Sequence, residues 1–169
     1  MKILYVSDLD GTLLNSKEKI SEYTIKILNG LIKRGMYFTY ATARSAYSAN
    51  IVTSGLLTNI PVIVFGGKMI LNTDENNYSC DIIVKKASKA RAVKKLNEKL
   101  RCDKVIVFGN DVNDISLFKI ADESYAVENA EDEIKKYVDA TIKSNDEDGV
   151  ARWLEKNYEK CLTNKYAVI

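Results

Sequence analysis

Four short apolar runs, separated mostly by segments of helical periodicity, constrain the fold of this chain more than any other feature. The runs are Ile3–Ser7, Met36–Ala41, Val62–Phe65 and Lys104–Phe108. They are nearly continuous rather than alternating with polar residues, so each reads as a strand buried on both faces. Between the first two, Ile20, Ile25, Ile27, Leu28, Leu31 and Ile32 fall at helical spacing, and Gly35 stops the helix. Ser45 is placed to cap a second helix running to about Leu57. Ser88 begins a third, rich in Lys and Ala, that ends near Arg101. Strands alternating with helices imply βαβ units, hence an α/β fold with a mostly parallel sheet. Ligands in such sheets bind at the carboxyl ends of the strands. Chemistry is therefore expected in the loops after the first, second and fourth runs.

The rest of the chain adds smaller elements. Met69–Leu71 and Ile82–Val84 flank the polar stretch Thr73–Ser79, a pattern that suits a small β-hairpin. Asp114–Ile120 reads as a short helix, Ser124–Val127 and Ala140–Ile142 as short strands, and Asp146–Lys156 as a closing helix with Trp153 and Leu154 on its apolar side. No repeat, low-complexity tract or linker interrupts the pattern, so residues 1–169 are expected to form one domain.

Charge and composition narrow the chemistry. With 25 basic and 23 acidic residues the net charge is +2, which points to neither nucleic acid nor an anionic membrane as partner. The lysine-rich stretch Lys85–Lys104 reads first as the solvated face of a helix and only weakly as a binding patch. No apolar run approaches the length of a membrane span, and acidic residues follow Met1–Val6 at once, against a secretory signal. Cys80, Cys102 and Cys161 form no metal-ligand or redox pattern and suit a reducing, cytoplasmic setting. Histidine is absent from the sequence. That removes Ser-His and Cys-His nucleophile pairs and every histidine-based metal site. Acid–base chemistry is left to Asp, Glu, Lys, Tyr or Cys.

The loop after the first run reads Asp8-Leu9-Asp10-Gly11-Thr12-Leu13-Leu14. Taken alone, this could be an acidic turn built on Asp10-Gly11. The whole string resembles the first motif of the haloacid dehalogenase superfamily of phosphatases. More narrowly, the chain is similar to the Cof-type, sugar-phosphatase-like branch (subfamily IIB). The resemblance implies a Rossmann-like, three-layer domain in which Asp8 is the nucleophile and Asp10 the general acid and base. A carboxylate nucleophile splits one hard displacement into two easier ones. The second carboxyl protonates the leaving group and then activates water. The family's cofactor is Mg²⁺, which offsets the repulsion between carboxylate and phosphate. The main-chain carbonyl of Asp10 is the usual further metal ligand.

Three more motifs follow in the family's order. Tyr40-Ala41-Thr42-Ala43-Arg44 is similar to the Thr-Gly-Arg pattern, so Thr42 would donate its hydroxyl to a phosphoryl oxygen beside Ala43. Otherwise Thr42 is a strand-end hydroxyl in a turn. Ser88-Lys89-Ala90-Arg91-Ala92-Val93-Lys94-Lys95-Leu96 resembles the family's lysine motif, and Lys89 would offset the negative charge of Asp8 and phosphate. Without the pattern, Lys85, Lys86 and Lys94 would compete for that role. Gly109-Asn110-Asp111-Val112-Asn113-Asp114 is similar to Gly-Asp-x-x-Asn-Asp, with Asn113 and Asp114 in place but Asn110 where a metal-binding Asp is expected. An Asn oxygen can ligate Mg²⁺ but brings no charge. Asp111 or Asp114 are the alternatives, so the implied metal set is Asp8, Asp10, Asn110, Asp111 and Asp114.

Relatives in this branch carry a full cap domain between Gly67 and Ser88, where this chain keeps only the hairpin-sized segment of about residues 68–84. The expectation is a magnesium-dependent phosphohydrolase with an open site, acting on a small phosphorylated metabolite such as a sugar phosphate. The apolar residues Met69, Ile70, Leu71, Tyr78, Ile82 and Ile83 suggest that the hairpin packs against a neighbour in a dimer or tetramer. Other readings are a phosphotransferase or mutase, a phosphorylated switch domain, or a catalytically weakened binding or scaffold protein. A mutase needs a lid to hold its intermediates. A switch domain of the receiver type carries its acceptor Asp after the third strand, where Phe65-Gly66-Gly67 stands here.

Overall fold

The computed structural model describes residues 1–72, 79–83 and 85–163. Strand β1 (Ile3–Ser7) is buried along its whole length. Its alternation explains why the run is apolar throughout: Ile3 and Tyr5 face one core, while Leu4 and Val6 face another on the opposite side of the sheet. The strand pairs in parallel with β2 (Tyr37–Tyr40) on one side and β6 (Lys104–Gly109) on the other. Strands β7 (Glu123–Val127) and β8 (Ala140–Ile142) extend the parallel sheet in the order β2-β1-β6-β7-β8.

Helices cover both faces. Helix α1 (Glu22–Lys33) buries Leu28, Leu31 and Ile32 in the first core, beside Val150, Leu154 and Tyr158 of α6 (Gly149–Thr163). Helix α3 (Lys89–Leu100) buries Ala92, Val93 and Leu96 in the second, with Leu117 and Phe118 of the short α4 (Ile115–Phe118). The result is a Rossmann-like domain of three layers, helix on sheet on helix. Among the described residues no helix is long and apolar enough to cross a membrane.

The capping serines set where helices begin. Ser21 accepts a hydrogen bond from the Thr24 amide, Ser45 from the Ser48 amide, and Ser88 from the Arg91 amide. Several expected boundaries move. Helix α2 (Ala46–Val52) stops about a turn short of Leu57. There Thr53 bonds back to the Ala49 carbonyl and Gly55 turns the chain at φ 86°. Helix α6 starts at Gly149 rather than Asp146, because Asn145–Glu147 form a separate 3₁₀ turn. It also runs past Lys156 to Thr163. A one-turn helix, α5 (Asp132–Lys135), was not legible in the apolar pattern.

The third run leads away from the parallel sheet. Strand β3 (Val62–Val64) touches the end of β2 through a single bridge between Ala41 and Ile63. Its ladder lies with β4 (Met69–Asn72), which pairs with β5 (Ser79–Ile82), both antiparallel. This small three-stranded sheet stands in place of a cap. Thr73–Tyr78 and Val84 of the expected hairpin lie outside the described residues. Ile70 is buried, Met69 and Leu71 pack against the first core and Ile83 against the second, whereas Ile82 is 64% exposed.

Gly67, in the turn between β3 and β4, brings the small sheet against the start of the helix that carries Lys89. Its φ is +89°, and a Cβ there would lie 2.2 Å from the Ser88 carbonyl oxygen. Gly67→Ala is therefore expected to cost roughly 2–4 kcal/mol of unfolding free energy, from overpacking and left-handed strain together. Gly30, inside α1 with nothing within 4 Å of an added Cβ, is the contrasting case. Gly30→Ala is expected to add about 0.5–1 kcal/mol. Urea unfolding midpoints measured on both variants check the pair.

Candidate active site

The site is built where β1, β2 and β6 end side by side. The Ala41 amide donates to the Ser7 carbonyl, and the Asp8 amide donates to the Phe108 carbonyl at 2.9 Å. These bonds hold the exits of all three strands at one edge. Asp8 is 4% exposed. The wide turn Leu9–Leu13 follows, with Gly11 at φ 71°. A Cβ on Gly11 would lie 2.5 Å from the Asn110 side-chain nitrogen, so only glycine lets the two loops close. Thr12 Oγ1 donates to Asn110 Oδ1 at 2.8 Å and ties them together.

Lys89, the first residue of α3, reaches into this edge with its side chain 4% exposed. Its Nζ lies 2.7 Å from Asp8 Oδ1, 2.8 Å from Asn113 Oδ1 and 2.8 Å from Asp114 Oδ1. An ammonium has three hydrogens, and here each has an oxygen. Asp114 is fully buried, and its other oxygen accepts from the Asn110 and Asp111 amides at 3.1 and 3.2 Å. Gly109 makes room for that carboxylate, since a Cβ there would lie 2.7 Å from Asp114 Oδ2. The spacing of Gly109, Asn113 and Asp114 thus follows from one tight turn folded around a buried carboxylate.

Two buried carboxylates share one ammonium. Desolvation, and then the charge of Asp114, push the Asp8 carboxyl up to about 7, against the pull of Lys89. Burial alone would lower the lysine, but Asp8 and Asp114 outweigh it and hold Lys89 above its usual value.

The remaining predicted residues sit around this cluster. Asp10 points to Arg44, whose Nε lies 2.9 Å and Nη2 2.6 Å from Asp10 Oδ1. Glu18 holds the same guanidinium at 3.1 Å. Thr42 is buried and its hydroxyl oxygen accepts from the Arg44 amide at 3.1 Å, while Ala43 is exposed. Asp111 is turned into its own loop, accepting from the Val112 amide and from Asn113 Nδ2. So Asp8, Lys89 and Asp114 come together, Asn110 stands at the rim against Thr12, and Asp10 and Asp111 are engaged elsewhere. Among the described residues no group of three or more Asp, Glu, His or Cys side chains could hold a metal ion. Lys89 takes Asp114 and one oxygen of Asp8, Arg44 takes Asp10, and the turn takes Asp111. Asn113 and Arg44 are contacts that the motifs contained without revealing. Asn113 neighbours Asp114 in the fourth motif, and Arg44 ends the second.

The model of the haloacid dehalogenase-like hydrolase family matches residues 5–79 and 71–154. The chain belongs to this family. The two matched pieces overlap at residues 71–79. Among curated relatives, the 5-amino-6-(5-phospho-D-ribitylamino)uracil phosphatase YwtE of Bacillus subtilis is 31% identical over 102 residues, 59% of this chain. The phosphoglycolate phosphatase of Sulfurisphaera tokodaii is 44% identical over 82 residues, 48% of this chain. The matches span 34% and 36% of the lengths of those two proteins. In fold, the chain is similar to the crystal structure of TM0651 from Thermotoga maritima, with a TM-score of 0.79 and 19% identity over 92% of this chain and 97% of that one.

Lys89→Met would leave Asp8 and Asp114 buried without a counter-charge. A loss of about 3–5 kcal/mol is expected, as for other broken buried ion pairs. Chemical denaturation in metal-free buffer at pH 8 measures it. A variant as stable as the wild type would show that the ammonium is not what permits the two carboxylates to be buried.

Proposed function

We propose that this chain is a phosphate monoester hydrolase that passes the phosphoryl group through Asp8. The observation that carries the proposal is the buried cluster of Asp8, Lys89 and Asp114 at the carboxyl edge of the sheet. Lys89 holds the nucleophile in place and offsets charge as a phosphate dianion approaches it. An oxygen of Asp8 attacks phosphorus, the bond to the leaving oxygen breaks, and the Asp10 carboxyl gives that oxygen its proton. Water then attacks the phosphoaspartate, its proton passes to Asp10, and the bond between Asp8 and phosphorus breaks to release inorganic phosphate. Asp10, half exposed beside Arg44, lies on the solvent side where a leaving group would stand. Thr42 would present its hydroxyl to a phosphoryl oxygen.

The oxygen ligands available beside Asp8 suit Mg²⁺, and two buried carboxylates there face a single ammonium. The Asp8 carboxylate, the Asp10 main-chain carbonyl and the Asn110 side-chain oxygen would hold it. When bound, the ion offsets the negative charge shared by nucleophile and phosphate. The two curated relatives are named for phosphate monoesters with different leaving groups, which supports a small phosphorylated metabolite, such as a sugar phosphate, as the substrate class. A neighbouring copy that shelters the open site in a homo-oligomer belongs to the same proposal. So does a cytoplasmic location, which fits three free cysteines.

Asp8→Asn is expected to lower Mg²⁺-dependent hydrolysis of an aryl phosphate by at least about a thousandfold, on the scale of losing a nucleophile in other enzymes. Wild-type turnover in that variant would refute the assignment. Asn110→Asp is expected to lower the Mg²⁺ concentration for half-maximal rate several-fold, because it adds a charge to the ligand set. An unchanged metal titration would mean that Asn110 is not a ligand.

A further inference from the structure

The lysine-rich helix does more than line the catalytic edge. A cavity of about 550 Å³ lies between β5 and the outward face of α3. Its cations are Lys85, Arg91, Lys94 and Lys95, its floor is Ile82 and Ile83, and among the described residues Glu98 is its one carboxylate. Successive helix residues are rotated by about 100°, so Arg91, Lys94, Lys95 and Glu98 fall roughly 140–240° around α3 from Lys89. The groove and the Asp8 site therefore lie on opposite faces of one helix. Asp81 pairs with Lys95 and Lys99. Among the described residues, Lys85, Arg91 and Lys94 have no ion-pair partner.

We propose that this groove binds a small polyanion, a molecule carrying two or more phosphate groups on a compact apolar body. Lys85, Arg91 and Lys94, without ion-pair partners among the described residues, repel one another, and a multivalent anion relieves that repulsion at several points at once. The volume lies within the usual range for small-molecule sites. Ile82, 64% exposed at the end of an edge strand, offers an apolar surface that a bare cation patch would lack. A second copy of the chain fits poorly. Two-fold pairing along the free edge of β5 would bring the groove cations of one copy toward those of the other. The site does not depend on the hydrolase proposal, because no residue of the groove belongs to the Asp8 cluster.

The test uses the full chain, metal-free, with inorganic tripolyphosphate as the probe and calorimetric titration as the readout. Wild type is expected to bind tripolyphosphate at least tenfold more tightly than orthophosphate. Arg91→Glu with Lys94→Glu is expected to weaken tripolyphosphate by at least tenfold, while hydrolysis of an aryl phosphate stays at the wild-type rate. Lys33→Glu with Lys156→Glu makes the same change in net charge on exposed helix positions elsewhere. This control is expected to leave the affinity within about twofold of wild type. Equal weakening in both double variants would reduce the effect to general attraction and overturn the proposal. Unchanged binding in the Arg91/Lys94 variant would place the anion elsewhere, and a preference for a short single-stranded oligonucleotide over tripolyphosphate would assign the groove to nucleic acid. Either result rejects the polyanion site.

Discussion

The ammonium of Lys89, buried and held by Asp8, Asn113 and Asp114, is the interaction on which the rest of this edge depends. Two carboxylates cannot be taken out of water side by side without a counter-charge. Each neighbouring feature serves the placement of that charge. Ser88 caps the helix so that its first residue points inward, and Gly67 lets the small sheet press against the Ser88 carbonyl. Gly109 leaves space for the Asp114 carboxylate, whose second oxygen gathers the amides of the turn. The parallel sheet supplies the frame, because its strand ends fall in register at Ser7, Tyr40 and Phe108.

The same arithmetic of charge bears on the proposed cation site. One lysine against two carboxylates leaves negative charge in excess at the carboxyl edge of the sheet, and burial keeps Asp8 well above the ordinary carboxylate range. Asn110 adds an oxygen but no charge to this balance, and its side chain also clasps Thr12 across Gly11. Its amide thus serves loop closure. Arg44 plays the matching part on the solvent side, where it gathers Asp10 and Glu18.

The small sheet is not a free-standing hairpin. It continues from the end of β2 through β3, and most of its described apolar residues are covered by the chain itself. What stays uncovered is Ile82, beside the cation-lined groove of α3. Exposure in this region is concentrated on the far side of α3 from Lys89, so the helix has one face turned to the Asp8 cluster and one turned to solvent.

Much was legible from residue order alone. Continuous apolar runs gave buried parallel strands because both faces of the sheet are covered, and Ser45 and Ser88 marked helix starts because a hydroxyl satisfies free amides. The motif string placed Asp8, Lys89 and Asp114 at strand ends and a helix start, where the fold brings them together. Helix ends were less legible: α2 stops where Thr53 and Gly55 turn the chain, a local competition that apolar spacing does not encode. The partners of polar side chains were not legible at all. Four of the five acidic or amide residues in the implied metal set carry a carboxylate, and nothing in their spacing says that Arg44 binds Asp10 or that Asp111 is used within its own turn. Those choices depend on distances between loops far apart in sequence. The chain determined which residues stand at the carboxyl edge of the sheet; only packing in three dimensions decided which of their charges meet.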